Sequence, residues 1–547
     1  MNSLPTELVA QIISELSCEW KPQLARYATI NTHWQDVVES QTFQKLRLSS
    51  LEFARFCELF GHEHANTALD RRRCRRRAKL RHLEYNIRNA GLLQGLDNIK
   101  YIQNDPHFLK SYGRRLWLSI HEIWEHLASW KPTPEHPGLP SLAISSLAII
   151  LPLHPWKEET SRWDHIEKKE SRSFNHPIPY VVYGSSDISP DSSIQLSPLA
   201  SVKRFWMGGS QLWPADLVKV AENLSAVREV CIWASDWEEE GETLDAAARD
   251  ELARRLSNLP QGIRVLVLEL PFESDYDSQY ELIDLCSVGD FGQKIDHFSC
   301  SVRATSYFLT SLILTVGMIS PELFWPANPV PNGQNNELFW PNLETFKVIT
   351  SMCTAYGTYA LENPDRRYVH RFNPWEAGSY DWETELDDEI GFYNRQRPDH
   401  QYHNTLAMSI AKAASRMPRL KDLKLLMKTD WTRKFKRHEF SFRAEAVPCG
   451  NPRVQWSFEC NEAQLLGWQP PLEARDLWIE KCGPSLQEDI VTIVVLDVEA
   501  GGDVHWQDFC WDDKEQTYPV RKRGGVEMEK CDLRDLGSED DTDADSF

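Results

Sequence analysis

The chain has 547 residues, of which 41% are hydrophobic and 11% aromatic. These values exclude a wholly disordered chain and predict a globular protein of about three domains. The formal net charge of −21 argues against a general nucleic-acid-binding protein, whose affinity depends on basic groups that neutralise phosphates.

The twelve cysteines contain no C-x-x-C pair and no regular spacing. In a chain of this size they predict reduced thiols rather than a disulfide framework, and hence a cytoplasmic or nuclear protein. Met1-Asn2-Ser3 leads directly into a predicted helix that contains Glu7, so we expect no secretory signal peptide. The most apolar run, residues 308–319, is too short to span a bilayer and is expected to be a buried helix.

The first 48 residues carry the pattern of three short helices followed by an extended segment. Pro5 suits the first turn of a helix because its φ angle is fixed and it has no N–H group to lose. The apolar positions of this helix recur at a 3.6-residue period and are Leu8, Ile12, Ile13 and Leu16. Pro22 is expected to begin a second helix and Thr32 a third, with Trp34 facing inward. Three short helices cannot bury this apolar surface among themselves, so the pattern predicts that another surface covers it.

This order of residues resembles the F-box, which covers roughly residues 2–48. Members of that family dock on the small Skp-type adaptor of a cullin–RING ubiquitin ligase, while the rest of the chain holds the substrate. The resemblance implies a Skp-type adaptor and a cullin scaffold as partners, together with an unknown protein substrate, and no nucleic acid or membrane. The implied adaptor-binding residues are Leu4, Pro5, Leu8, Ile12, Ile13, Leu16 and Trp34. His33 departs from the small or basic residue that many members carry before the tryptophan. The alternative is a three-helix cap that closes the end of a repeat array and binds no adaptor.

A basic run, Arg71-Arg72-Arg73-Cys74-Arg75-Arg76-Arg77, follows. It is typical of a nuclear-import signal or of a patch for an anionic partner. The simpler interpretation is a solvated face that leads into a strand, because residues 80–87 alternate apolar and polar side chains. His62, His64 and Cys74 fit no common zinc spacing, so we expect no metal.

Strand and helix patterns then alternate along the chain. Strands are predicted at residues 142–149, 202–207, 227–233, 263–270, 295–300, 343–349 and 420–427. Helices are predicted at residues 119–128, 214–224, 244–256, 280–288, 306–318 and 405–414. This alternation resembles an irregular leucine-rich repeat, which implies a solenoid: a curved parallel sheet with helices outside and a concave strand face as the binding surface. The rival is an ordinary α/β domain with a doubly wound sheet, but no ligand-binding glycine loop supports it.

Long polar insertions are predicted at residues 156–199, 326–336 and 362–403. The acidic run at 383–389 within the third could contact a basic substrate or form a solvated rim. After residue 430 two antiparallel strands at 440–444 and 454–458, a helix at 471–480 and a strand at 489–498 predict a small α+β module that caps the solenoid.

The predicted organisation is therefore α/β, with a three-helix F-box at 1–50, an irregular leucine-rich-repeat-like solenoid at 51–430, the α+β cap at 431–513 and a disordered acidic tail at 514–547. Ser538 and Thr542 precede acidic residues in that tail and are possible phosphorylation sites.

No enzyme motif stands out in the sequence. It has no Walker loop, no G-x-G-x-x-G sequence opening a helix, no G-x-S-x-G elbow and no H-E-x-x-H helix. We therefore predict no catalytic residue and no cofactor, and a non-catalytic ligase subunit that supplies proximity to its substrate. Two alternatives remain: a scaffold or regulatory protein that uses the repeat surface outside any ligase, and, more remotely, a hydrolase within the α/β region.

Overall fold

A computed structural model of the chain describes residues 4–20, 27–61, 68–88, 106–130, 144–151, 195–208, 214–234, 246–270, 284–288, 292–327, 338–362, 397–428, 439–445, 453–460, 468–483 and 486–494. These residues belong to one compact unit that ends at Val494. They form a mixed α/β structure in which helices accompany a large, mostly parallel sheet.

Twelve strands of the described chain form this sheet, and their order in the sheet follows their order in the sequence. They are β1 (Lys45–Ser49), β2 (His82–Asn86), β3 (Ser146–Ile150), β4 (Arg204–Gly208), β5 (Glu229–Trp233), β6 (Val265–Leu270), β7 (Ser311–Val316), β8 (Thr345–Ser351), β9 (Asp422–Lys428), β10 (Glu439–Glu445), β11 (Arg453–Cys460) and β12 (Gln487–Val494). Strands β1 to β9 are parallel, β10 runs antiparallel to both neighbours, and β12 is parallel to β11. The described part of the sheet therefore lacks the reversal of strand order that marks a doubly wound fold.

Ten α-helices lie within the described ranges. They are α1 (Thr6–Trp20), α2 (Thr32–Gln44), α3 (Phe53–Phe60), α4 (Ala68–Lys79), α5 (Pro106–Ala128), α6 (Pro214–Glu222), α7 (Ala246–Ser257), α8 (His297–Ser306), α9 (His400–Ser415) and α10 (Leu472–Cys482). Short antiparallel pairs of two-residue strands join Ser287–Val288 to Lys294–Ile295, Cys353–Thr354 to Thr358–Tyr359, and Leu361–Glu362 to Arg397–Pro398.

The central strands bury one face completely. Successive side chains of a strand point to opposite faces, and one face carries an aligned row of buried residues across six strands. The members of that row are Phe205, Val230, Leu266, Leu312, Phe346 and Leu423. Helices pack here: the Trp124 ring of α5 meets Phe205 edge-on at a centroid distance of 6.3 Å. The apolar core therefore lies between this face and the helices.

The sequence predicts a strand at 295–300 and a helix at 306–318, and both predictions are wrong. Asp296 begins α8 instead, because its side chain accepts a hydrogen bond from the Ser299 N–H group at 3.3 Å. Residues 311–316 form β7, whose side chains alternate between buried and half-buried at a period of two. An apolar run of this length fits a buried helix or a buried strand, so its composition did not distinguish them.

The predicted helix at 280–288 is also wrong where the structure describes it, because Ser287 and Val288 form a strand paired with Lys294 and Ile295. The second helix, predicted from Pro22, lies largely outside the described residues. The other predicted strands and helices are present, and most of them end within a few residues of their predicted ends. The largest difference is α5, which begins at Pro106 rather than at residue 119.

The two predicted strands after residue 430 are present as β10 and β11 and are antiparallel. The helix predicted at 471–480 is α10, and the strand predicted at 489–498 begins as β12. All three strands continue the same sheet as β9. The three predicted insertions lie largely outside the described residues, and the acidic tail with Ser538 and Thr542 lies wholly outside them.

Candidate functional site

The first helices build a small apolar cluster of their own. Its buried members come from α1 and α2 and are Val9, Ile13, Trp34, Val37 and Val38. Asn31 starts α2, since its side chain accepts a hydrogen bond from the Trp34 N–H group at 2.9 Å. The Tyr27 ring stacks on Trp34 at a centroid distance of 6.3 Å, and Leu4 packs against the same cluster. Trp34 and Ile13 are therefore packing residues that support α1.

The predicted adaptor-binding residues divide between two faces of α1. Leu8 is 46% exposed and Ile12 is 37% exposed, whereas Ile13 is fully buried. Leu8 and Ile12 are four residues apart and so lie on one face of the helix, one turn from each other. Pro5 is also exposed. Leu16 lies in α1, but its side chain falls outside the described structure.

The basic run joins the helices rather than forming a free patch. Buried Arg73 and Arg77 lie four residues apart on α4 and bind the carboxyl end of α3: Arg73 Nε donates to Glu58 O at 2.9 Å and Arg77 Nε to Phe60 O at 2.6 Å. The last carbonyls of a helix lack intrahelical partners, so these guanidinium groups satisfy them. Sequence analysis missed this contact, although the four-residue spacing of two arginines on one helix face could have indicated it.

The other side of α4 binds α2. Arg72 and Arg76 each reach Glu39 Oε1, at 3.1 and 3.0 Å. Burial alone would raise the pKa of Glu39, but the two arginines outweigh it and hold that pKa below its ordinary value. The arginine run therefore connects α2, α3 and α4, and it positions the N-terminal helices on the rest of the unit.

The second face of the central strands is less completely buried than the first: most of its side chains are half-buried, and Val267 is buried. Trp206, Cys231, Val267 and Ile313 are aligned on β4 to β7 in one row. A neighbouring row consists of Trp233, Glu269 and Thr315. We call these two rows the open sheet face.

The Trp233 ring lies next to Gly208, which leaves room for it because glycine has no Cβ atom. A Cβ atom at Gly208 would stand 2.6 Å from Trp233 Cε3, which no real contact permits. The two residues are aligned partners on β4 and β5. A glycine at the end of β4 therefore sets the position of one of the two indole rings of the open sheet face.

An acidic group lies next to that ring. Glu269 is the aligned neighbour of Trp233 and Thr315, and burial raises its pKa to about 7. Burial, with a smaller effect of the Glu269 charge, raises the pKa of Cys231 to about 12, so this cysteine is a neutral thiol rather than a nucleophilic thiolate. Within the described ranges no cation pairs with Glu269. The open sheet face thus combines apolar and aromatic surface with a carboxyl group that a basic side chain could neutralise.

Metal-binding chemistry has no candidate in the described structure. No group of three or more His, Cys, Asp and Glu side chains there is arranged to hold an ion. His403 is fully buried, its Nδ1 lies 2.9 Å from Asp399 O, and burial lowers its pKa to about 4. It is therefore a neutral core residue. His62 and His64 lie outside the described residues.

The described helices include none with the length and apolar character needed to cross a bilayer. Comparison with protein-family models and with curated proteins finds no match for this chain.

Proposed function

We propose that this chain is a substrate-recruiting F-box subunit of a cullin–RING ubiquitin ligase, which binds a Skp-type adaptor through α1 and a protein substrate through the open sheet face. In this role it is not the catalyst. It raises the effective concentration of the substrate near the ubiquitin-conjugating enzyme.

The observation that carries the adaptor half of the proposal is the exposure of Leu8 and Ile12. Val9 and Ile13 belong to the internal cluster of α1 and α2, whereas Leu8 and Ile12 on the other face of α1 are not among its members. Burying two aliphatic side chains of this size against a partner contributes roughly 1.5–3 kcal/mol each. Two anchors one turn apart fit recognition by a groove between helices of a partner.

The substrate half rests on the sheet. Strands that follow one another in chain order, with helices on one face, are consistent with an irregular leucine-rich-repeat-like solenoid, in which the strand face opposite the helices is the binding surface. Trp206 and Trp233 provide aromatic anchors of the kind enriched at binding hot spots. Glu269 favours a substrate segment that carries lysine or arginine beside an apolar residue.

Co-purification tests the adaptor contact. The full chain is co-expressed with a Skp-type adaptor and a cullin, and Leu8→Asp combined with Ile12→Asp is expected to abolish recovery of the adaptor. Leu472→Asp is the matched control, because Leu472 is 69% exposed on α10 and its replacement should leave recovery unchanged. The Leu4→Ala, Pro5→Ala double variant tests the opening of the motif separately.

The outcomes separate the hypotheses. Adaptor and cullin recovered together support the ligase subunit, whereas adaptor without cullin supports a scaffold outside the ligase. Wild-type protein that recovers neither partner, or a double variant that binds as well as wild type, contradicts the proposal.

The substrate surface is tested with a variant that cannot bind the adaptor. Proximity labelling with the Leu8→Asp, Ile12→Asp chain should mark clients that are no longer degraded. Adding Trp233→Ala should remove those clients, while adding Leu472→Asp should not. Clients that persist after loss of Trp233 would place substrate binding elsewhere.

A further inference from the structure

A row of residues crosses one end of the sheet, each member directly preceding a central strand. The row is held by backbone hydrogen bonds: the Arg228 N–H donates to Lys203 O, the Arg264 N–H to Arg228 O and the Thr310 N–H to Arg264 O, each at 2.7 Å. Adjacent strands lie about 4.8 Å apart, so Lys203 and Arg264 have backbones on the order of 10 Å apart with Arg228 between them. All three basic side chains are exposed.

These three cations line a cleft of about 490 Å³. Its remaining walls come from the segments before β5 and β6, through Ser225, Ala226, Val227 and Gly262. A volume in the range of roughly 300–1,000 Å³ is typical of small-molecule sites. The cleft lies at the end of the strands and is distinct from the α1 surface and from the open sheet face.

Among the described residues, no carboxylate pairs with the positive charges of the cleft. In the described structure neither Lys203 nor Arg228 forms an ion pair, and Arg264 Nη1 donates at 2.8 Å to a neutral group, the Phe308 carbonyl. Three neighbouring like charges repel one another. The chain as a whole is acidic, with a net charge of −21, yet these three aligned positions all carry basic residues. A carboxylate at one of the positions would remove the repulsion.

Farther along the same row, a lysine forms an ion pair with a glutamate. The Glu344 N–H donates to Thr310 O and the Lys421 N–H to Glu344 O, each at 2.8 Å. There the row places a lysine beside a glutamate, and Lys421 Nζ lies 2.6 Å from Glu344 Oε2. The architecture therefore accommodates an acidic neighbour at this end of the sheet, whereas the described residues of this row provide no acidic neighbour for Lys203, Arg228 or Arg264.

We propose that the cleft formed by Lys203, Arg228 and Arg264 binds a small anion that carries two or more adjacent phosphate groups. A guanidinium group binds phosphate oxygens in a bidentate manner, and a lysine ammonium adds a compact positive charge. Three cations spread over about 10 Å match linked phosphates better than a single monoanion. This site goes beyond the proposed ligase role and does not depend on it.

The experiment is isothermal titration calorimetry of the full chain with inorganic tripolyphosphate, with sodium sulfate at equal ionic strength as the comparison. We expect saturable binding of tripolyphosphate at a defined stoichiometry and at least tenfold weaker binding of sulfate. A second titration with adenosine triphosphate shows which part of a nucleotide the cleft recognises. An affinity equal to that for tripolyphosphate means that only the phosphates are bound, and a higher affinity means that the nucleoside is also contacted. Either result supports the site.

Variants test the residues. Lys203→Gln with Arg228→Gln should weaken tripolyphosphate binding at least tenfold, and Arg264 is left intact because it also binds the Phe308 carbonyl. Lys45→Gln with Lys421→Gln removes the same charge from exposed lysines outside the cleft and should leave the affinity unchanged. Circular dichroism confirms that both double variants are folded. Wild-type protein that does not bind tripolyphosphate, or equal weakening by the two double variants, would overturn the proposal.

Discussion

Arg249 and Asp296 form a bidentate ion pair in the core, with Nε–Oδ1 and Nη2–Oδ2 distances of 3.0 and 3.1 Å. Arg249 is 2% exposed and Asp296 is fully buried. Arg249 Nη2 also donates to Met318 O at 2.8 Å, and Asp296 caps the first turn of α8. The pair therefore ties α7 to α8 and to the segment that follows β7. Burial alone would raise the pKa of Asp296, but the Arg249 charge and hydrogen bonds hold it below its ordinary value.

Replacing Arg249 should be strongly destabilising. Arg249→Met leaves the Asp296 carboxylate buried without a counter-charge, which costs about 3–5 kcal/mol of unfolding free energy. Urea denaturation followed by circular dichroism measures the loss. Arg254→Met is the control, because Arg254 is an exposed residue of the same helix paired with Glu251, and its loss should cost less than about 1 kcal/mol. Equal effects of the two substitutions would contradict the structural role of the pair.

Gly208→Ala should disturb the open sheet face. The new methyl group would meet the Trp233 ring at 2.6 Å, so the indole must move off the sheet, at a cost of about 1–3 kcal/mol. Gly262→Ala is the control, since its nearest neighbour, Val227 O, is 3.5 Å away. Comparing the denaturation midpoints of the two variants tests the prediction. A Gly208→Ala chain as stable as Gly262→Ala would show that Trp233 is free to relocate.

Glu269 should make stability depend on pH. Burial raises its pKa from 4.5 to about 7, so the folded chain binds this proton more tightly than the unfolded chain. The stability contributed by this residue is present below pH 4.5 and is lost as the pH rises to about 7. Glu269→Gln should therefore stabilise the protein at pH 8, by about 3 kcal/mol at most and less where solvent reaches the side chain, and have little effect near pH 4.5.

Urea denaturation at both pH values measures this difference, and Glu473→Gln, at an exposed position of α10, is the control. A Glu269→Gln effect of the same size at both pH values would refute the assignment.

The two faces of α1 should respond differently to truncation. Ile13→Ala removes a fully buried side chain of the N-terminal cluster and should cost about 2–5 kcal/mol of local stability. Ile12→Ala removes a side chain that is 37% exposed and should cost far less, while weakening the adaptor binding that we propose for this face. Hydrogen exchange of the α1 and α2 amides should be faster in Ile13→Ala than in Ile12→Ala. Equally fast exchange in both variants would contradict the assignment of Ile13 to the packed face and Ile12 to the exposed face.

Arg77 should matter more than its neighbour Arg75. Arg77→Ala leaves the carbonyl groups of Phe60 and Gly61 without their donors, and loss of charged hydrogen bonds of this kind costs about 1.5–3 kcal/mol. Arg75 is exposed, so Arg75→Ala should change the unfolding free energy by less than about 0.5 kcal/mol. Thermal denaturation of the two variants measures this difference in stability. If the whole arginine run were only a solvated charge patch, Arg77→Ala and Arg75→Ala would be equally stable.

Local patterns predicted much of the secondary structure. The helix predicted from Thr32 is α2, and Trp34 faces inward as predicted. The strands predicted near β2, β4, β5 and β6 are also present. The same reasoning failed at β7 and α8. The run Ser311–Val316 is apolar enough to form either a buried helix or a buried strand. It forms a strand because it pairs with β6 and β8, which are distant from it in the sequence.

Sequence alone established the globular α/β composition, the acidic balance and the opening Leu-Pro, Ile-Ile and Trp residues, because each of these is a property of nearby residues. Tertiary structure decided which of those residues stay exposed. Leu8 and Ile13 share one apolar pattern, yet only Ile13 meets Trp34 and its neighbours. The basic cleft and the Arg249–Asp296 pair depend in the same way on strand register and helix packing, which bring together residues that are far apart in the chain.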